Sequence, residues 1–84
     1  MRASWSITSA YGGGWCVRVT VGSRSIGRWF ASNGGEWELL RNGESGAQLV
    51  GTCDVRAPRN PERFGRWIRR YLAPDVANLK AEAS

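Results

Sequence analysis

The chain has 84 residues, and eleven Arg and one Lys against seven acidic residues give it a formal net charge of +5. This length suits one small domain, near the size at which a single core suffices without metals or disulfides. The absence of His removes the usual general base and the commonest metal ligand. The basic balance predicts an anionic partner: nucleic acid, an anionic surface or an acidic protein.

The first two thirds of the chain alternate apolar and polar residues in short runs, which is typical of β-strands. We expect strands over residues 4–10, 15–21, 26–31, 36–40 and 47–55, separated by glycine-containing turns. In the second strand Val17 and Val19 point to one face and Arg18 to the other. In the third, Ile26 and Phe30 are expected on the core face.

The third and fourth strands carry charged residues beside their apolar ones. The third strand places Arg28 between its two core residues and Trp29 on the outside. In the fourth, the apolar residues predict Trp37 and Leu39 inward, and Glu36 and Glu38 outward.

Residues 60–72 carry the clearest pattern of the chain. One apolar stripe at helical spacing is formed by Phe64, Trp67, Ile68, Tyr71 and Leu72. Asn60 suits the N-cap and Pro61 the first helical position. Arg69 and Arg70 lie in the predicted last turn, where the helix dipole stabilises cations, and Pro74 disfavours simple continuation of the helix.

These elements predict an α+β fold in one domain, residues 1–84. An antiparallel meander of four to five strands lies within residues 4–55, and one C-terminal amphipathic helix, residues 61–72, packs on one face. Residues 75–83 are expected to form a short or frayed second helix. An open sheet edge permits a homodimer as well as a monomer.

The cysteines and the termini indicate a reduced, cytoplasmic protein. Cys16 and Cys53 lie in separate strands without metal-ligand spacing, and buried free thiols are the expectation. Residues 1–10 lack the layout of a secretory leader, and no run is long enough to cross a membrane. No metal and no cofactor are predicted.

The residues do not predict an enzyme. The carboxylates are scattered over turns, strands and helix ends, with no pair placed to share acid and base roles. Without His, a nucleophile needs another base, and Lys80 lies in the tail. Gly12–Gly14 precedes a strand, whereas a phosphate-cradling loop opens a helix. No catalytic residue is therefore assigned.

Binding surfaces are the alternative. The sheet face opposite the helix is expected to display Arg18, Thr20, Trp29, Glu38, Gln48 and Val50. The outer side of the helix carries a second set of candidates, which are arginines at roughly helical spacing. The predicted partner-binding residues are Arg18, Trp29, Arg59, Arg63, Arg66 and Arg70. The alternative interpretation is that the sheet face and the outer side of the helix are simply exposed to solvent and bind no partner.

The run Gly14–Val19 and the strand ending in Trp29 and Phe30 resemble integrase arm-type DNA-binding domains and a class of plant transcription-factor domains. Those domains enter their helix after three strands, whereas this chain inserts at least one more. The resemblance implies direct nucleic-acid binding through an Arg- and Trp-bearing sheet face and an Arg-rich helix.

The segment Leu49–Val55, the polar connection after it and the Trp67-bearing helix resemble small phage anti-CRISPR proteins, in size and in order of elements. This resemblance implies a stoichiometric inhibitor that binds a CRISPR effector complex in a bacterial host and blocks target DNA binding or nuclease recruitment. We favour it because a short DNA-reading domain is usually attached to an effector, whereas an inhibitor needs only a rigid surface.

Overall fold

The computed structural model describes residues 2–10, 12–31, 34–39, 47–49 and 55–83. In this part of the chain, five antiparallel strands lie side by side in sequence order and two helices follow them. The strands are β1 (Ser4–Ser9), β2 (Trp15–Val21), β3 (Arg24–Phe30), β4 (Glu36–Leu39) and β5 (Ala47–Leu49). The helices are α1 (Pro61–Tyr71) and α2 (Ala73–Ala83). The predicted α+β class with an antiparallel sheet is confirmed.

The alternation in β2 separates the two faces of the sheet. Val17, Val19 and Val21 are at most 1% exposed, whereas Arg18 between them is exposed. Successive strand residues point to opposite faces, so the valines lie on the face covered by the helices. We call this side the helix face and the other side the open face.

Glycine is required at two turns. The turn between β2 and β3 consists of Gly22 and Ser23, and Gly22 has a φ of 61°, as tight primed hairpins demand. Immediately before β2, a Cβ on Gly14 would overlap the carbonyl oxygen of Phe30. The chain therefore approaches β3 closely at this end of the sheet.

Helix α1 begins and ends with the predicted signals. The Asn60 side chain accepts a hydrogen bond of 3.1 Å from the Arg63 N–H, and Pro61 occupies the first turn. Phe64 and Ile68 are fully buried at 0% exposure. The helix packs on the sheet through stacking of Phe64 on Trp15, with ring centroids 4.6 Å apart.

Phe30 of β3 lies at the centre of this packing. Its ring meets Phe64, Trp67 and Tyr71 edge to face, at centroid distances of 5.9, 5.5 and 5.9 Å. Phe30 itself is 1% exposed. Such aromatic pairs are worth about 0.5–1.5 kcal/mol each beyond the area they bury.

The expectation of one C-terminal helix on the sheet is not confirmed, because α2 follows α1 after Leu72, over the stretch expected to form only a short or frayed helix at residues 75–83. Pro74 lies in the first turn of α2, where its missing N–H has no intrahelical partner to lose. The proline therefore starts a second helix. Leu79 of α2 is 3% exposed and belongs to the core, so this helix contributes to packing.

Strand β4 differs from the predicted alternation at Glu36. The register pairs Glu36 with Phe30, and Trp37 with Trp29. Glu36 is 6% exposed, so its predicted outward position is wrong. The physical reason is Arg28, whose Nε lies 3.1 Å from Glu36 Oε1. An arginine on the helix face needs a buried carboxylate, since an unpaired buried charge is strongly destabilising.

The rest of the predicted final strand lies mostly outside the described residues. Residues 47–49 are strand, and residues 50–54, including Cys53, are not described. Val55 resumes the chain and accepts a 3.2 Å hydrogen bond from the Gly35 N–H.

We expect Phe30→Ala to lower the free energy of unfolding by about 3–5 kcal/mol, because it removes a buried ring and leaves a cavity. Urea unfolding followed by circular dichroism measures the change. Phe30→Leu retains part of the side-chain volume and replaces the alanine variant in this measurement if that variant does not fold. Ser6→Ala on β1 is the control, with an expected change within about 0.5 kcal/mol. A loss below about 1 kcal/mol for Phe30→Ala would contradict the central position of this ring.

Tyr71 provides a pH-dependent test of the same packing. Its hydroxyl donates a 2.6 Å hydrogen bond to Glu36 Oε2, and burial, then this bond, raises its pKa from 10.0 to about 12. The folded chain thus holds the proton more tightly than the unfolded chain. Its contribution to stability is complete below pH 10 and is lost as the pH rises towards 12.

Between these two pH values, we expect the free energy of unfolding to fall more steeply in the wild type than in Tyr71→Phe. Urea titrations of both proteins across this pH range measure the free energy of unfolding. Taking the difference between the two proteins cancels the contribution of other groups that titrate in the same range. Equal slopes would show that the Tyr71 hydroxyl is not held as described.

Candidate partner-binding surface

Four exposed arginines form a basic surface along the outer side of α1 and the residue before its N-cap. We call it the arginine ridge: Arg59, Arg63, Arg66 and Arg70. Helical geometry turns positions 63, 66 and 70 away from buried Ile68. In the part of the chain that the structure describes, no carboxylate lies within ion-pair distance of any of the four. The ridge is therefore a surplus of positive charge.

Other arginines have partners within the fold. Arg28 pairs with the core carboxylate described above, and Arg24 pairs with Glu82 at 3.0 Å. The Arg69 guanidinium lies 5.3 Å from the centre of the Trp5 ring, a cation–π contact. These three positively charged residues contribute to the structure, which separates them from the ridge.

The open face carries the two remaining predicted residues. Arg18 is exposed, and its Nη1 donates a 3.2 Å hydrogen bond to Ser25 Oγ. Trp29 is half-buried and pairs in register with Cys16, a half-buried free thiol. Hydroxyl-bearing neighbours occupy the positions around Arg18: Ser4, Ser6, Thr8 and Thr20.

The structure thus divides the predicted site residues into two groups. Arg18 and Trp29 lie on the open face, and the ridge lies beyond α1 on the helix face. The sheet and the core stand between them, since α1 covers the face that carries Val17.

A cavity of about 380 Å³ lies beside the N-terminal end of α1. Its charged lining residues, among those described, are Arg56 and Arg59, and the neutral ones are Gly13, Gly14, Trp15, Ala31, Gly34 and Ala57. The sequence-based prediction did not include Arg56. The glycine turns are visible in the sequence, but their position beside the connection before α1 is not.

Two further features concern the described residues alone. They contain no group of three or more His, Cys, Asp or Glu side chains arranged to hold a metal ion. The two helices among them also fall short of the length and apolar character that crossing a membrane requires.

Comparison with known proteins gives no match. No family model matches the chain, and neither a curated protein nor a solved structure matches it. Function is therefore inferred from the residues and contacts described above.

We expect Arg63→Gln, Arg66→Gln and Arg70→Gln each to change the free energy of unfolding by less than about 0.5 kcal/mol, because no described group pairs with them. Arg28→Gln is the contrasting variant, since it leaves a buried carboxylate unpaired at a cost of about 3 kcal/mol or more. Urea unfolding measures all four. A loss above about 1 kcal/mol in a ridge variant would assign that arginine an internal role.

Proposed function

We propose that the protein is a small non-enzymatic binding protein that inhibits a nucleoprotein complex inside a bacterial host cell, as phage anti-CRISPR proteins do. The arginine ridge is its binding surface. One observation carries this proposal: exposed Arg63, Arg66 and Arg70 lie on a helix anchored in the core through its opposite side, and no described carboxylate neutralises them. Such a surplus of positive charge favours an anionic partner.

The helix beneath the ridge is held in place without a partner. Phe64 and Ile68 are at 0% exposure, and the cap at Asn60 is formed. Binding therefore has to order only the arginine side chains, at about 0.5–1.5 kcal/mol for each one immobilised. A preformed surface of this kind suits an inhibitor that acts by occupancy.

Guanidinium groups suit the anionic surfaces that a nucleoprotein complex offers. Their planar forks form paired hydrogen bonds with carboxylate or phosphate groups. Arg63 and Arg70 are separated by about 10 Å along the helix axis, so the ridge spans more than one such group. Bound to guide RNA or to an acidic protein patch of a CRISPR effector complex, the ridge would obstruct target DNA binding or nuclease recruitment.

Direct nucleic-acid binding is the second candidate, and the open face supports it. Arg18 lies there among serine and threonine hydroxyls, beside a groove of about 150 Å³ lined by Ser6, Thr8, Cys16, Val17 and Arg18. Hydroxyl and guanidinium groups are the donors that contact phosphate and sugar. In this case Arg18 and Trp29 contact the nucleic acid, and the binding affinity falls steeply as the salt concentration rises.

The two candidates predict different partners. Tagged protein is incubated with bacterial lysate containing a CRISPR effector complex, with and without nuclease, and captured proteins are identified by mass spectrometry. The inhibitor proposal predicts capture of the complex after nuclease treatment. It further predicts that the triple variant Arg63→Gln, Arg66→Gln, Arg70→Gln reduces capture roughly tenfold or more, and that Arg18→Gln, the matched control, does not.

Random duplex DNA separates the candidates further. The inhibitor proposal predicts no binding by fluorescence anisotropy even at about 50 mM salt. Loss of all capture on nuclease treatment, together with duplex binding that Arg18→Gln weakens, would contradict the inhibitor proposal and support the second candidate.

A further inference from the structure

The cavity beside the N-terminal end of α1 has a chemistry of its own. Three segments meet there: the glycine turn before β2, the turn after β3, and the connection that leads into α1. Its volume of about 380 Å³ falls within the range of about 300–1,000 Å³ that is typical of small-molecule sites. This volume suits a ligand of nucleotide size.

Arg56 and Arg59 supply the charge of the described lining. Both are exposed, and no carboxylate of the described chain lies within ion-pair distance of either. The other lining residues are Gly, Ala and Trp. Two guanidinium groups at a cavity whose described lining holds no counter-charge attract an oxyanion, and their planar forks match a phosphate group.

The backbone that carries these two arginines is tied to the sheet on both sides. Trp15 Nε1 donates a 3.1 Å hydrogen bond to the Pro58 carbonyl, and Gly35 N–H donates one of 3.2 Å to the Val55 carbonyl. The Trp15 ring is fixed in turn, because it stacks on Phe64 at an interplanar angle of 9°. The two arginines therefore lie on a backbone segment that is held at Val55 and Pro58.

Glycine and alanine leave the other walls with small side chains or none. Gly13 and Gly34 have φ values of 89° and 92°, which side-chain-bearing residues rarely adopt. Gly14 has no room for a Cβ. The indole of Trp15, which also lines the cavity, is then the one aromatic surface available to a ring in the described lining.

From this arrangement we propose that the cavity binds one nucleotide, with its phosphate between Arg56 and Arg59 and its base against Trp15. The nucleotide is either free or one unit of a single strand. The site shares Arg59 with the ridge, but it goes beyond the inhibition proposed above and does not require it, since Arg56 and the other lining residues lie outside the ridge.

Two-dimensional ¹⁵N NMR of the full chain tests this, with AMP and a single-stranded pentanucleotide in separate titrations. We expect shifts at the amides of Gly13, Gly14 and Gly34 and at the Trp15 indole N–H. Adenosine, which lacks the phosphate, should bind roughly tenfold more weakly than AMP or worse.

Substitutions locate the phosphate. Arg56→Gln should weaken binding roughly tenfold, and Arg70→Gln, the matched control on the ridge, should leave it unchanged. The dispersion of the NMR signals reports whether each variant is folded. If Arg56→Gln is not folded, Arg59→Gln replaces it, with the same expected loss of affinity.

Each outcome decides the proposal. Shifts with AMP identify a free nucleotide as ligand, and shifts with the pentanucleotide alone identify a strand; both support the site. No cavity shifts with either ligand at millimolar concentration, equal affinity for adenosine and AMP, or an equal loss in Arg56→Gln and Arg70→Gln would overturn it. Failure of the lysate capture described above would leave the AMP result untouched, so the two proposals fail separately.

Discussion

Edge-to-face packing of Phe30 against α1 is the interaction on which the rest of the structure depends. The ring contacts the aromatic residues at positions 64, 67 and 71, so one side chain of β3 holds both ends of the helix's apolar stripe. A helix of eleven residues is marginal in water by itself, and tertiary packing supplies most of its stability. The direction in which the ridge arginines point is therefore decided in the core. Loss of that packing would remove the surface as well as the fold.

The buried pair of Arg28 and Glu36 connects the same region to the rest of the sheet. With side chains 11% and 8% exposed, the two charges satisfy each other, and Tyr71 of α1 donates to the carboxylate. A slip of β4 by one residue would carry Glu36 to the open face and separate it from Arg28. The pair thus ties register and helix position together. Arg28 is thus neutralised within the fold, whereas the arginines of the ridge remain available to a partner.

Local signals explain how much of the fold and of the site could be read from the sequence. The cap at Asn60 and the apolar spacing in α1 are properties of adjacent residues, so the helix and the outward position of Arg63, Arg66 and Arg70 follow from them. The outward position predicted for Glu36 was wrong because hydrophobicity favoured Trp37 inward, whereas the deciding factor was Arg28 on another strand. Pro74 was ambiguous, since proline both ends helices and occupies their first turn. The cavity at Arg56 joins segments far apart in sequence, which no local pattern reports.

Amide hydrogen exchange tests most directly whether α1 is an integral part of the core that presents the ridge. If Phe30 holds the helix as described, the amides of Phe64 and Ile68 exchange with the same free energy of opening as those of Val17 and Val19 in β2, close to the global free energy of unfolding. If the helix amides exchange several orders of magnitude faster than those of β2, α1 opens independently of the sheet, and the ridge is not the fixed surface that its proposed function requires.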